Sequence, residues 1–286
     1  MTKLAILSDI HGNLPALQAV IADLSSVDQV VVAGDIINWG PFSADVVELL
    51  AHLRCSVIRG NNEYYLLDYE SARMPAHWES YTLIPWLRDQ LQGTYAAQIA
   101  CWPDQLHLRF PDAPPICVVH GIPGNPWQSI YPSLNEEGVR EVLKETEEST
   151  IIAGHSHIPM ARRVEQWQIF NPGSVGVPLD GVPFRARYML LDGDEKGWRA
   201  AFRTVDYDPT TLFEEFERQD FVGQCGPTAR LVLAEFREAR LTVHPYIRWV
   251  EDTYSGAEMT DGLVDEFLQI DTTPYLDEPY RLLRPK

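Results

Sequence analysis

Residues 3–24 read KLAILSDIHGNLPALQAVIADL, and this stretch decides the fold. Its first six residues, KLAILS, form a short apolar run suited to a buried strand. Asn13 then stands before LPALQAVIADL. Asn can cap a helix, Pro15 fits a first turn, and Leu14, Leu17, Val20, Ile21 and Leu24 recur at helical spacing. The rhythm repeats outward. QVVVA (29–33) predicts a second strand, ending in Gly34-Asp35. Ser43 can cap a helix through Leu53 that carries Val46, Val47, Leu49 and Leu50, and CSVIR (55–59) predicts a third strand, ending in Gly60-Asn61. Alternating strands and helices with β-branched strands mean an α/β core whose crossovers cover the sheet.

Residues 63–102 break this rhythm. The segment 81–101 reads as helical, and Trp78, Trp86 and Trp102 in or beside it read as core before ligand platform, so an insertion or cap of two helices is expected. QLHLRF (105–110) and ICVV (116–119) predict strands, the second ending at His120-Gly121. A helix is predicted from Asn135 or Glu136 to Glu147, then a strand over 150–153 ending at Gly154-His155. Residues 162–204 are mostly strands separated by Gly, Pro and Asp turns. After Asp206 the pattern turns helical, in TTLFEEFERQ (210–219), TARLVLAEFREARL (228–241) and a fainter segment over 246–254. The last dozen residues, rich in Pro, Asp and Tyr, are expected to wrap the surface or fray. The division this gives is a core unit over 1–204, with its insertion at about 63–102, and a helical extension over 205–286 packed on the core.

Composition narrows the function classes. The chain has 286 residues, 45% of them hydrophobic, enough for one substantial core and too many for wholesale disorder. It lacks an apolar run long enough to span a membrane. Asp9, His11, Asn13 and Pro15 stand where a secretory leader would need apolar residues, so no membrane and a cytoplasmic location are expected. Cys55, Cys101, Cys117 and Cys225 form no CxxC pair and read as reduced, mostly buried thiols. With 23 Lys+Arg against 41 Asp+Glu, the net charge is −18, which disfavours long nucleic acids as partners. Residues 205–286 carry 17 acidic and 8 basic residues, half the excess. The run from Glu136 to Glu148, with six glutamates, reads as a solvated helix face.

Each predicted core strand ends in a polar, metal-competent residue beside glycine or serine. In order these are Asp9-Ile10-His11-Gly12, Gly34-Asp35, Gly60-Asn61, His120-Gly121 and Gly154-His155-Ser156-His157. In open α/β sheets ligands gather outside the carboxyl ends of the strands. The ends therefore point two carboxylates, one amide and four imidazoles into one crevice. Oxygen and imidazole donors without thiolate suit Mn, Fe, Zn, Ni or Co, not a structural zinc cage. Seven ligands exceed one tetrahedral site and suit two divalent ions sharing a carboxylate.

The motifs SDIHGN (8–13), GDIINWGP (34–41), GNNE (60–63), VHG (119–121), GHSH (154–157) and NPGSVG (171–176) together resemble the calcineurin-like metallophosphoesterase family, nearest to its small prokaryotic phosphodiesterase-like branch. The resemblance runs from Lys3 to about Thr204; the tail after Asp206 carries no matching motif. It implies a two-sheet α/β sandwich with helices outside and the site at one edge. It also implies that Asp9, His11, Asp35 and His157 hold one ion, and that Asp35, Asn61, His120 and His155 hold the other, with Asp35 bridging. A water between the ions, acidified toward hydroxide, would attack phosphorus in line. Asp35, His120 and Asn62 are then the catalytic residues, and Asn61, Asn62 and Arg59 the candidates to fix a small phosphoester.

One departure bears on mechanism. Many members carry a His where this chain has Asn62. An amide can donate a hydrogen bond but cannot act as a general acid near neutral pH. Substrates with good leaving groups, diesters or nucleotide-type bonds, are favoured over monoesters. Arg59 has a rival reading as an ordinary strand-end cation; Arg185 and Arg187 are weaker candidates of the same kind. Asn171, Gly173 and Ser174 are expected to shape the site wall through turn geometry. Two rival functions stand beside the esterase: a non-catalytic scaffold on the same fold, and a serine/threonine protein phosphatase. Oligomeric state is not readable.

Overall fold

The computed structural model describes residues 1–256 and 258–283. In chain order, the first part runs β1 (Thr2–Leu7), α1 (Leu14–Asp23), β2 (Gln29–Ala33), α2 (Ser43–Leu53), β3 (Ser56–Ile58), α3 (Asn61–Asp68), α4 (Leu83–Gln90) and α5 (Thr94–Ala100). Next come β4 (Gln105–Leu108), β5 (Ile116–Val119), α6 (Glu136–Leu143), β6 (Thr150–Ile152), β7 (Met160–Val164), β8 (Trp167–Asn171), β9 (Arg185–Asp194) and β10 (Gly197–Asp206). The tail holds α7 (Thr210–Arg218), α8 (Phe221–Cys225), α9 (Pro227–Glu238), α10 (Val243–Tyr254), α11 (Asp261–Phe267) and α12 (Glu278–Leu282).

The strands form two five-stranded mixed sheets, ordered β10-β9-β1-β2-β3 and β4-β5-β6-β8-β7. Strand alternation assigns their faces, because successive side chains point to opposite sides. In β1, Leu4 and Ile6 face the second sheet and join Val31, Ile58, Ile116, Val118, Ile152 and Phe170 in the central layer. Ala5 and Leu7 face outward, against Leu17 and Val20 of α1 and Val46 and Leu50 of α2. In β5, Ile116 and Val118 point inward, while Cys117 and Val119 point to Val139 and Leu143 of α6. The result is a two-sheet α/β sandwich with helices outside.

β1, β2 and β3 are parallel, as are β5 and β6. Their carboxyl ends come together at one edge. There the loop after β1 bonds to the loop after β2, with Ile10 N and His11 N both donating to Asp35 O at 2.8 and 3.0 Å. Gly154 N donates to His120 O at 2.7 Å within the second sheet, and the edge joins across the sheets where the His120 ring reaches Ala33 O at 2.8 Å.

The tail packs in two steps. Leu212, Phe216, Phe221, Val232 and Phe236 bury against Leu83 and Trp86 of α4 and against Ile158, Val177 and Leu179 near the site loops. Behind them Leu231, Tyr246, Trp249, Val264 and Phe267 form a second cluster made within the tail. Full burial of such side chains is worth about 1.5–3 kcal/mol each.

Several sequence expectations shift. Asn13 caps α1 by accepting from Ala16 N, as read. Ser43, read as a cap, is the first residue of α2; Phe42 stands at the cap, and the Ser43 hydroxyl donates to Gly40 O and accepts from Asn38 N. The segment 81–101 holds two helices, α4 and α5, as expected of the insertion, separated at Gly93, whose φ is +70°. Trp86 within it and Trp78 just before it are core residues. The helix expected to reach Glu147 ends at Leu143, its last buried apolar residue, and Glu148 is 5% exposed, not part of a solvated face. The short helices α8, α11 and α12 lie where no periodic run announced them. The last dozen residues do not fray through Leu283: Leu276 and Tyr280 are buried. Residues 284–286 lie outside the described part. Of the cysteines, Cys117 and Cys225 are buried, Cys55 is half-buried and Cys101 is exposed.

Candidate metal centre

The strand-end residues leave their strands on strained backbone. Asp9, His11, Asp35, His155 and His157 all have positive φ, from +51° to +64°. This region is costly for residues with a Cβ and persists only where surroundings over-determine it. Two glycines make the close approach possible. A Cβ on Gly34, whose φ is +88°, would lie 2.6 Å from His120 Nδ1, and one on Gly60 would lie 2.2 Å from Asp35 Oδ1.

These loops bring together the residues the motifs singled out. Asp9, His11 and His157 form one group, and Asp35, His120 and His155 another; within each group the ligand atoms lie within 4.8 Å of one another. His157 Nε2 is 3.3 Å from Asp9 Oδ1, and His120 Nε2 is 3.2 Å from Asp35 Oδ2. Asp35 Oδ2 also lies 3.7 Å from His11 Nε2, so one oxygen reaches toward both groups. Asn61 joins the second, its Oδ1 standing 3.1 Å from His120 Nε2. His155 packs on the His120 ring, and its backbone N–H donates to the Asp9 carboxylate at 3.2 Å.

The imidazoles are held from behind. Nδ1 of His11 donates to Asn38 O at 2.5 Å, Nδ1 of His120 to Ala33 O at 2.8 Å, and Nδ1 of His157 to Val177 O at 2.5 Å. A ring whose N–H is committed to a carbonyl presents a bare lone pair at its other nitrogen. His11 Nε2 and His157 Nε2 stand 3.2 Å apart, two such lone pairs facing each other. Neutral rings in that arrangement repel, and a proton on one Nε2 or a metal ion between them relieves it. The oxygen and nitrogen donor set, without thiolate, fits hard to borderline divalent ions.

Charge and burial set the protonation of these groups. Burial pushes the Asp9 carboxyl up, but His157 and His120 outweigh it and hold Asp9 below the usual carboxylate range. Asp35 is likewise depressed, burial being outweighed by His120 and His11. Burial lowers His155 to about 4, with His120 adding repulsion. His120 is raised to about 9, because Asp35 overcomes the cost of burying its charge. The two aspartates therefore stay anionic, as cation ligands must.

Two site residues escaped sequence reasoning. Glu63 is fully buried, and its carboxylate accepts from Asp35 N, Ile36 N, Ile37 N and Gly60 N at 3.1, 2.8, 3.2 and 2.5 Å. It pins the loops after β2 and β3 together, and burial followed by Asp35 pushes it up to about 7. Asn38 supplies the carbonyl behind His11 and donates its side-chain amide to Asn62 Oδ1 at 3.0 Å. Both lie inside the quoted motifs, so the signal was present as spacing, without its geometry.

Asn62 is 5% exposed and faces Asp35, with Nδ2 donating to Oδ2 at 2.6 Å and the backbone N–H to Oδ1 at 2.9 Å. The Asn171–Ser174 turn shapes the wall. Asn171 Nδ2 donates to Gly154 O at 2.7 Å, and Ser174 Oγ donates to Asp9 O at 2.7 Å. Arg59 is not brought into the cluster. Its guanidinium is taken by Asp104 at 2.7–2.8 Å and by Ala100 O at 2.9 Å, which is the strand-end cation reading. Arg185 pairs with Asp206, and Arg187 with Asp180 and Thr204.

A family model described as the calcineurin-like phosphoesterase superfamily domain matches residues 2–196. Phosphodiesterase YfcE of Escherichia coli K12 is 31% identical over 206 residues, 68% of this chain and 89% of that protein. The uncharacterized protein MJ0912 of Methanocaldococcus jannaschii is 27% identical over 244 residues, 75% of this chain and 91% of its own. Among solved structures, a metallophosphoesterase from Sphaerobacter thermophilus superposes with TM-score 0.66 at 24% identity, covering 83% of this chain and 99% of that one. The hypothetical protein PH1004 of Pyrococcus horikoshii OT3 gives TM-score 0.67 at 18% identity, covering 81% and 98%. These two likenesses establish the fold.

Proposed function

The chain belongs to the calcineurin-like phosphoesterase superfamily, and from that premise we propose that it hydrolyses small phosphodiester or nucleotide-type substrates at a two-ion centre. Asp9, His11, Asp35 and His157 would hold one divalent ion, and Asp35, Asn61, His120 and His155 the other, with Asp35 shared. The observation that carries this reading is the facing pair of imidazole nitrogens, His11 Nε2 and His157 Nε2, 3.2 Å apart with both ring N–H groups spent on carbonyls. The reach of Asp35 Oδ2 toward His11 and His120 supports the sharing. When bound, such ions supply an acidified water as nucleophile and draw charge from the phosphoryl oxygens.

The chain's own residues do the rest. Asp9 and Asp35 return two negative charges against the four positive ones of two ions, so the pocket is locally positive although the chain is −18. At contact distance that outweighs surface carboxylates, which salt screens beyond about 8–10 Å. Glu63 and the three carbonyls behind the imidazoles fix ligand orientation before substrate arrives. Asn62 can orient Asp35 or a phosphoryl oxygen by hydrogen bonding, but it holds no proton to give a leaving group. This favours aryl, diester and nucleotide-type leaving groups. Within this reading residues 1–204 are the catalytic unit, with the segment 63–102 as its helical insertion, and 205–286 are an extension laid over one flank. No described helix is long and apolar enough to cross a membrane, and the free cysteines fit a cytoplasmic setting.

The test is hydrolysis of bis-p-nitrophenyl phosphate by the full chain with Mn²⁺, Co²⁺, Ni²⁺ or Zn²⁺, before and after chelation. The reading expects turnover that chelation removes and one of these ions restores. Absence of turnover with all four would overturn it in favour of a non-catalytic scaffold.

A further inference from the structure

A second set of metal-competent side chains lies on the outer face of the other sheet, away from the strand ends. β4 and β5 pair antiparallel with His107 opposite Cys117, and directly opposed residues project to the same face. Glu148 enters from the turn before β6, whose Ile151 is the parallel partner of Cys117. One ligand atom from each of His107, Cys117 and Glu148 lies within 4.8 Å of the others. Cys117 and Glu148 are buried, at 1% and 5% exposure, whereas the His107 side chain is 47% exposed and gives an entry path.

Two further observations mark this as a site. Glu148 Oε1 meets His107 Nδ1 at 2.9 Å, but Oε2 is buried without a hydrogen-bond partner. An unsatisfied carboxylate oxygen in a protein interior is costly and calls for a cation or donor. On the other side of the ring, Gln105 Nε2 stands 3.2 Å from His107 Nε2. With Nδ1–H on Glu148, Nε2 accepts from this amide. If an ion takes the Nδ1 lone pair, the ring proton moves to Nε2 and the turned amide oxygen receives it, as partners behind histidine ligands commonly do.

We propose that His107, Cys117 and Glu148 form a third divalent-metal site that takes a thiophilic, borderline ion such as Zn²⁺, with its remaining position open to water. One thiolate, one imidazole and one carboxylate are a donor set zinc uses, and the single soft ligand separates this site from the all-oxygen-and-nitrogen edge. Binding releases the thiol proton to solvent and forms the metal–sulfur bond, with no redox change. The ion would staple edge strand β4 to β5, the strand that ends at His120.

The experiment is Co²⁺ titration of the metal-stripped full chain, followed by near-ultraviolet absorption, where thiolate-to-cobalt charge transfer appears and the strand-end ligands contribute nothing. The wild type is expected to show the band, and Cys117→Ser to lose it together with one equivalent of bound metal. His107→Ala, at the exposed ligand, keeps the test valid if Cys117→Ser fails to fold; it should weaken the band-forming affinity roughly tenfold or more. Glu148→Gln should do the same. No band in the wild type, a band that survives Cys117→Ser, or undiminished affinity in His107→Ala and Glu148→Gln would each overturn the site.

Discussion

At the strand-end edge, five of the candidate ligands have left-handed backbone: Asp9, His11, Asp35, His155 and His157. In the helical tail the same conformation occurs at Asp220, Ala239 and Ser255, at the start of α8 and the ends of α9 and α10. The edge is held by directed bonds, four of them to the Glu63 carboxylate. The tail is held by apolar burial, in clusters around Phe216, Phe236, Trp249 and Phe267. A helix end uses the left-handed region to satisfy its last carbonyls, and glycine is its usual residue because a Cβ is costly there. Five candidate ligands in that region persist only because the edge is over-determined. Among the described residues the two regions meet through Tyr280 of α12, which donates to Ser156 O at 3.2 Å between His155 and His157, and through Gln219, whose Nε2 donates to Pro41 O at 3.0 Å.

The contrast can be broken from either side. The largest effect is expected at the edge. Asp35→Asn removes the charge shared between both groups, and turnover should fall by at least roughly 10²–10³-fold, the scale of losing one charge-stabilising group. Full activity with full metal content would refute the sharing. Glu63→Gln should come next, because an amide nitrogen turned toward four N–H donors leaves some unpaired. Thermal denaturation should show a loss of about 1–3 kcal/mol, and metal affinity should drop about 10–100-fold. Stability lost without any change in metal affinity would separate Glu63 from the site.

Tyr280→Phe asks whether the tail is mere cover. Loss of one hydrogen bond should cost about 1 kcal/mol. If the tail positions the loop between the two histidines, metal affinity falls along with stability; unchanged affinity assigns the tail to packing alone. Asn62→His should shift the ratio of monoester to diester turnover upward by less than the first two effects, since general acids contribute about 10²–10⁴-fold only when fully aligned. An unchanged ratio removes Asn62 from leaving-group choice. The smallest signal is thiol labelling. Burial pushes Cys225 up to about 12 and Cys55 to about 11, whereas Cys101 is exposed. A raised thiol stays protonated below its shifted value, so at pH 8 the thiolate fraction of Cys225 is roughly one in ten thousand. Maleimide should modify Cys101 alone at early times, and labelling of Cys225 should rise only as pH climbs toward 12.

What could be read from residues follows the same divide. The strand ends were legible because glycine, carboxylate and imidazole recur at fixed offsets after apolar runs, and each offset has a chemical reason. The partners behind them were not. Glu63 and Asn38 are ordinary polar letters until folding shows which N–H groups and rings they meet. Tyr280 is 124 residues from Ser156, a separation no local pattern spans. The tail showed its longer helices through periodicity, but α8 and α12 are 5 residues each and α11 is 7, too short to display a period. Glu148 misled because charge runs are usually solvated, and only the pairing of β4 with β5 brings His107 to it.

The central claim is two ions bridged by Asp35, and electron paramagnetic resonance of the Mn²⁺-loaded protein tests it most directly. Mn²⁺ prefers oxygen and imidazole donors over thiolate, so it reports the strand-end edge. The account predicts the spectrum of an exchange-coupled pair in the wild type, lost in Asp35→Asn. An isolated six-line Mn²⁺ signal at every loading of the wild type, with no coupled species, would contradict it.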